Sequence, residues 1–114
     1  MRECSIAGQT LSETGFSYTL SLINGKYKMT VLYTLMEYGT VRFNERKRSI
    51  GSISYKTLSA TLKELEADQL ISRHEYPQIP PKVEYALTER GMTLIPILDA
   101  MCAWGSDNRL PIQK

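Results

Sequence analysis

SISYKTLSATLKELEADQLISRHEYPQIPPKVEYALTERG, residues 52–91, changes its periodicity three times. From Tyr55 to Asp68, Leu58, Leu62 and Leu65 recur at i, i+4 and i+7, which places them on one face of an α-helix. Ser54 suits the N-cap, because its hydroxyl can accept from an orphan N–H of the first turn. Ile71 to Tyr76 then reads as a strand. Lys82 to Leu87 reads as its partner, with Val83, Tyr85 and Leu87 alternating against Glu84 and Ala86. Between them Pro77-Gln78-Ile79-Pro80-Pro81 is short enough to be a hairpin tip, and its prolines fix the φ angle at three positions. Thr88 can cap the helix that follows.

A helix with a polar outer face beside a two-stranded ribbon is the layout of a winged helix-turn-helix, an α+β, mainly α fold. Such a helix fits the major groove of DNA, and the ribbon's loop can reach the adjacent backbone. Two features of charge agree with that use. The first two turns after Ser54 carry no acid, while Glu64, Glu66 and Asp68 come only at the far end. A helix entering a groove N-terminus first needs this polarity, since carboxylates there would face phosphates. Basic residues also concentrate between Lys26 and Lys56, with seven cations against two acids; from Thr57 onward there are six against eight. A cationic region on a nearly balanced chain (net +2) is the footprint expected for a polyanion partner, although a solvated charged face is the plainer reading.

Working outward, residues 1–13 are polar and weakly periodic, and are expected to form a flexible arm. A helix is expected from about Gly15 to Asn24, a second from about Lys26 to Tyr38, and a third, weakly amphipathic, from about Phe43 to Ile50 with Arg46 and Lys47 on its inward stripe. Gly39 suits a left-handed position after the second helix, and Thr40-Val41 can pair as a one-step edge strand. The last helix is expected from about Glu89 to Gly105, kinked at Pro96, with an apolar arc wider than a monomer of this size needs. Residues 14–106 would then be one domain and residues 107–114 a tail. Several functions find no support. The chain has 114 residues, 42% of them apolar, yet no run long enough to span a membrane, and the start Met1-Arg2-Glu3-Cys4-Ser5 lacks the apolar segment of a secretory signal. Cys4, Cys102 and the single His74 make no ligand set, so no metal or cofactor is expected. No nucleophile pairs with a base, so no enzyme is expected, and a reducing cytoplasm is the simplest compartment.

The segments Leu22-Ile23-Asn24-Gly25-Lys26-Tyr27-Lys28, Arg42-Phe43-Asn44-Glu45, Ile53-Ser54-Tyr55-Lys56-Thr57-Leu58 and Leu62 to Asp68 resemble the HxlR-type family of winged-helix transcription regulators. So do Tyr76 to Thr88 and the closing Pro96-Ile97-Leu98-Asp99 with Trp104-Gly105. The resemblance covers roughly residues 15–105, and the Pro-Pro-basic-Val-Glu-Tyr segment is specific to the family. It implies a homodimeric, MarR-like DNA-binding protein with a recognition helix at Ser54–Asp68 and a wing at Pro77–Lys82. Dimerisation through the first and last helices would use Phe16, Leu20, Ile95, Leu98, Met101, Cys102 and Trp104. It also implies regulation of a neighbouring gene, usually repression, and in several members a response to electrophiles or oxidants through a cysteine near the first helix. That cysteine falls on Thr14 here, with Cys4 ten residues earlier, and Arg46 stands where a leucine is usual. Gln69 replaces a helix-ending glycine, at a cost of about 1 kcal/mol if its backbone is left-handed.

On this frame Ser54, Tyr55, Lys56, Thr57, Ser59 and Lys63 are the candidates to meet DNA from the helix, and Lys56 can pair with guanine or hold a phosphate. Arg42, Asn44, Arg46 and Arg48 read as backbone anchors, and Arg73 and Lys82 flank the wing. Tyr18, Tyr33 and Tyr38 read as core or interface, Cys102 as a packed apolar residue, and Cys4 as an exposed thiol open to oxidation. Three functions follow: a homodimeric regulator on an inverted repeat of double-stranded DNA, a version gated by an oxidant or small molecule through Cys4, or a winged-helix module for protein contacts without DNA binding.

Overall fold

The computed structural model describes residues 5–111, apart from the side chains of Arg48 and Ser49. Six helices and a hairpin follow in the order α1 (Gly15–Ile23), α2 (Lys28–Tyr38), α3 (Phe43–Ile50), α4 (Tyr55–Ala67), β1 (Ile71–Tyr76), β2 (Lys82–Leu87), α5 (Glu89–Met92) and α6 (Ile95–Asn108), with a 3-10 turn at Leu11–Glu13 before them. The core lies among α2, α3, α4 and the hairpin. Val31, Leu32 and Leu35 of α2 meet Leu58, Leu62 and Leu65 of α4, closed off by Val41, Phe43, Ile53, Leu70, Ile71 and Leu98. Each fully buried leucine stabilises by about 1.5–3 kcal/mol, so this cluster dominates the energetics of the body.

β1 and β2 pair antiparallel from Ile71↔Leu87 to Tyr76↔Lys82. This register puts Arg73 and Glu75 on the face of Val83, Tyr85 and Leu87, and His74 and Tyr76 on the face of Lys82 and Glu84. Val41 adds the anticipated one-step bridge: its N–H and C=O exchange bonds of 2.9 Å with Tyr85. That bridge fixes the start of α3 against the wing. Gln69 takes φ +61°, so the condition attached to its replacing a helix-ending glycine is met and the cost of about 1 kcal/mol applies.

The C-terminal segment differs from expectation. There is no single kinked helix from Glu89 to Gly105; α5 ends at Met92 and a new helix, with Pro96 in its first turn, runs on to Asn108. Proline lacks the N–H that a continuing helix requires and its ring clashes with the carbonyl four residues back, whereas in a first turn neither matters. The chain therefore restarts rather than bends. Gly91 sits at this junction, and a Cβ there would lie 2.1 Å from the Leu70 carbonyl oxygen, so only glycine fits.

The segment expected to be a loose arm holds the 3-10 turn in its described part. The Glu13 carboxylate accepts from the Thr10 N–H at 3.1 Å and from the Thr10 hydroxyl at 2.6 Å, which holds its pKa below the ordinary carboxylate range. Thr14, the position on which the resemblance would put a cysteine, is buried as the cap of α1 and accepts from the Ser17 N–H at 3.1 Å. No α1 residue is buried, and in α6 only Leu98 is. With extents of 55 × 41 × 23 Å and a radius of gyration of 16.6 Å, the chain is more extended than the ~13 Å of a compact domain of similar length. No described helix is long and apolar enough to cross a membrane.

Candidate nucleic-acid interface

Ser54 starts α4 as expected. Its hydroxyl accepts from the Thr57 N–H at 3.1 Å and donates to the Thr57 Oγ1 at 3.0 Å. Both side chains are thus engaged in holding the helix tip. Leu58, Leu62 and Leu65 turn inward, while Tyr55, Lys56, Thr57, Ser59 and Lys63 are exposed. The absence of acid in the first turn leaves the positive end of the helix dipole uncompensated on the same exposed face. Lys47 of α3 lies 4.7 Å over the Tyr55 ring, so that ring carries a cation on one side.

The expected anchors fall into two groups. Asn44, Tyr55, Ser59 and Arg73 line a 230 Å³ groove between α3, α4 and the wing, floored by Phe43, Leu58 and Tyr85. Lys63 joins Ser59 and Arg73 farther along. Glu66 also borders this extension, so the groove is a polar trough with two cations, Arg73 and Lys63, beside the helix tip. Arg73 is paired with Glu75 at 3.3 Å, and the Tyr85 hydroxyl, more than Glu75, raises its pKa further above its ordinary value. The second group, Arg42 and Lys82, sits on the opposite face of the wing around Glu84. Lys82 Nζ is 3.9 Å from Glu84 and 4.4 Å over the Tyr76 ring. Arg42 Nε is 3.8 Å from Glu84, and its Nη1 is 3.2 Å from Glu45. These carboxylates were not singled out from the sequence. Lys82 and Glu84 share a face of β2 by i, i+2 spacing, the Val41 bridge brings Arg42 to Glu84, and Glu45 reaches Arg42 by ordinary i, i+3 spacing.

Arg46 does not extend over the core: it takes non-helical angles inside α3 and lays its guanidinium 4.2 Å over the exposed Tyr38 ring. The Arg48 side chain and Cys4 lie outside the described residues. His74 is solvent-facing and edge-on to Tyr76, and Ile79 at the wing tip is fully exposed.

Of the residues expected at a dimer interface, Leu98 belongs to the chain's own core. Phe16, Leu20, Met101, Cys102 and Trp104 are exposed, Trp104 by 69%, and Ile95 is half-buried. Tyr18 and Tyr38, expected as core or interface, are also exposed in the single chain. Cys102 is not the packed residue anticipated; it is a free, exposed thiol 3.5 Å from the Tyr33 hydroxyl, where α2 and α6 border an apolar groove. The thiol, more than nearby Glu37, pushes the Tyr33 hydroxyl up to about 12.

A capped, acid-free helix tip, a polar trough beside it and a paired wing define a winged helix-turn-helix DNA-binding domain. Sequence and structure comparisons narrow the class. The HxlR-like helix-turn-helix family matches residues 22–113, and the chain belongs to that family of transcriptional regulators. It is 57% identical over 101 residues to an HTH-type transcriptional regulator of Halalkalibacterium halodurans, covering 89% of each chain. It is 53% identical over 90 residues to the HTH-type regulator YdzF of Bacillus subtilis, covering 79% of this chain and 83% of that one. Among solved structures, the redox regulator HypR in its reduced form superposes with a TM-score of 0.79 at 46% identity, covering 84% of this chain and 94% of that one.

Proposed function

We propose that this protein is a cytoplasmic homodimer that binds an inverted repeat in double-stranded DNA and represses a neighbouring gene. The observation that carries the reading is the division of α4: a buried leucine stripe on one side, and on the other exposed Tyr55, Lys56, Thr57, Ser59 and Lys63 with no acid in the first turn. The two-fold symmetry of a dimer would set two such tips about 34 Å apart, in successive major grooves. Lys56 and Ser59 then face base edges or phosphates, Asn44, Lys63 and Arg73 line the path of one backbone, and Lys82 and Arg42 meet the backbone at the wing. Apolar surface on α1 and α6 supports the dimer, and the family supports the regulatory role. A protein-interaction module would present an acidic or apolar face at α4, and this face is neither. Gel retardation of the gene's own upstream region at moderate salt tests the proposal. Retardation no stronger than that of bulk DNA rejects it.

An oxidant-gated version of the same function draws on the similarity to the redox regulator HypR and on the exposed Cys102. It predicts that diamide changes the DNA affinity of the wild type but not that of a Cys4→Ser or a Cys102→Ser variant. Unchanged affinity of the oxidised wild type rejects gating.

A further inference from the structure

Arg42 is held by two carboxylates in different situations. Glu45, at 3.2 Å, has a side chain 67% exposed; Glu84, at 3.8 Å, has one only 19% exposed and also faces Lys82 at 3.9 Å. Glu84 is further held by the Tyr76 hydroxyl and lies opposite His74 in the strand register. A carboxylate beside two cations on a surface that meets a polyanion is costly if it only repels phosphate. It is useful if it holds the cations in place from behind.

We infer that Glu84 is a positioning residue for phosphate binding, and that Glu45 is the carboxylate a phosphate displaces. Resting on the DNA-binding reading above, this assigns opposite signs to two acids on the same arginine. Glu45 can swing into water when a phosphate reaches Arg42, since exposed pairs of this kind are weak. Glu84 cannot leave without breaking its contacts with Lys82, Tyr76 and Arg42 together. It keeps two long, rotamer-rich side chains against the flank of the wing, and that order is otherwise lost before each encounter with DNA. Phosphate contacts carry no sequence information, so the effect applies to any duplex.

The test uses the full chain and two duplexes, one enriched from a random pool by the wild type and one unselected, with affinities measured across a salt series. Glu84→Gln is expected to weaken both duplexes about tenfold and to flatten the slope of log K against log salt by roughly one to two units, as for lost phosphate contacts. Glu45→Gln is expected to tighten both about threefold, within the range of a released surface pair. Glu84→Asp keeps the charge but shortens the reach; it is expected to weaken binding as Glu84→Gln does. Tightening by Glu84→Gln, or wild-type behaviour of Glu84→Asp, would show that Glu84 is merely a repelling charge and overturn the inference. So would a fall in melting temperature with an unchanged salt slope, because that is a structural role alone. A wild type that binds both duplexes equally refutes the sequence-specific reading but leaves the Glu84 inference standing on its slope; a wild type that binds neither overturns both.

Discussion

The winged body and the terminal helices are both rich in apolar residues, yet they stand in opposite states of burial. In α2 and α4, Val31, Leu32, Leu35, Leu58, Leu62 and Leu65 are almost completely withdrawn from water. In α1 and α6, Phe16, Tyr18, Leu20, Ile97, Met101 and Trp104 retain 42–69% of their exposure. The body's core is complete within one chain. Among the described residues nothing covers most of the apolar area of the terminal helices, which is the area the proposed dimer would use. Stability of the body and assembly of the rim should therefore respond to different substitutions.

The largest effect is expected where the body has least room. Gly91→Ala places a methyl group 2.1 Å from the Leu70 carbonyl, a backbone atom that cannot rotate aside. We expect a loss of about 3 kcal/mol, with a melting temperature lower by roughly 10 °C or more, at any protein concentration. A loss under about 1 kcal/mol would mean that the junction between α5 and the end of α4 is not packed as described. Trp104→Ala sharpens the contrast from the other side. Its ring is 69% exposed, so in dilute monomer the fold should hardly notice. If the proposed dimer buries this ring, its loss should cost about 2 kcal/mol of association, near thirtyfold in the dimer dissociation constant by sedimentation. Equal dimerisation of variant and wild type would remove α6 from the interface.

A smaller effect separates the regions at single-methyl scale. Gly105 lies inside α6, and a Cβ there would meet nothing within 4 Å. In a lone chain Gly105→Ala should therefore stabilise by about 1 kcal/mol through helix propensity. If a second copy brings its backbone close to Gly105, the same methyl group weakens the dimer instead. Melting temperature measured against concentration distinguishes these outcomes, and a concentration-independent gain would place Gly105 outside any contact.

The same division governs how much was legible in the sequence. Leucines at i, i+4 and i+7 after Ser54 suffice to place α4, because burial of Leu58, Leu62 and Leu65 within one chain enforces that period. Alternation in Lys82–Leu87 places β2 although all six of its residues are half-buried, so it is the ladder with β1 and not a buried face that holds the strand. The one-step pairing of Thr40-Val41 was legible locally, whereas the left-handed Gln69 is raised only as a condition by the family resemblance. The break before α6 is not legible as such, since Pro96 excludes a straight continuous helix but does not say whether the chain bends or restarts. Cys102 was read as packed because an apolar helix without its neighbours looks like a core helix. The Thr10–Glu13 pair carried a capping signal that went unused. Glu84 was only half within reach: Lys82 lies two residues away on the same face of β2, as strand alternation implies, but Arg42 becomes a neighbour only through the bridge of Val41 to Tyr85, a partner that no local pattern encodes.

The smallest expected effect concerns that acid, and it lies within the body rather than the rim. The Tyr76 hydroxyl holds the Glu84 carboxyl below the ordinary carboxylate range; burial opposes it next in size, and Lys82, Arg42 and His74 add smaller lowering effects. Because the folded value is the lower one, the contribution to stability is present above the unfolded carboxylate pKa and is lost as pH falls through the depressed value. Glu84 in turn raises the Tyr76 hydroxyl, so that contribution persists at neutral pH and is lost as pH rises through the raised tyrosine value. Wild type and Tyr76→Phe should accordingly differ most in melting temperature near neutral pH. The difference should shrink toward acid, where the carboxyl is protonated, and toward strong alkali, where the phenol ionises. No such narrowing is expected for Trp104→Ala, which removes apolar contact rather than a titrating pair. A Tyr76→Phe difference that widens on acidification would show that the wing is held by something other than the Tyr76–Glu84 contact.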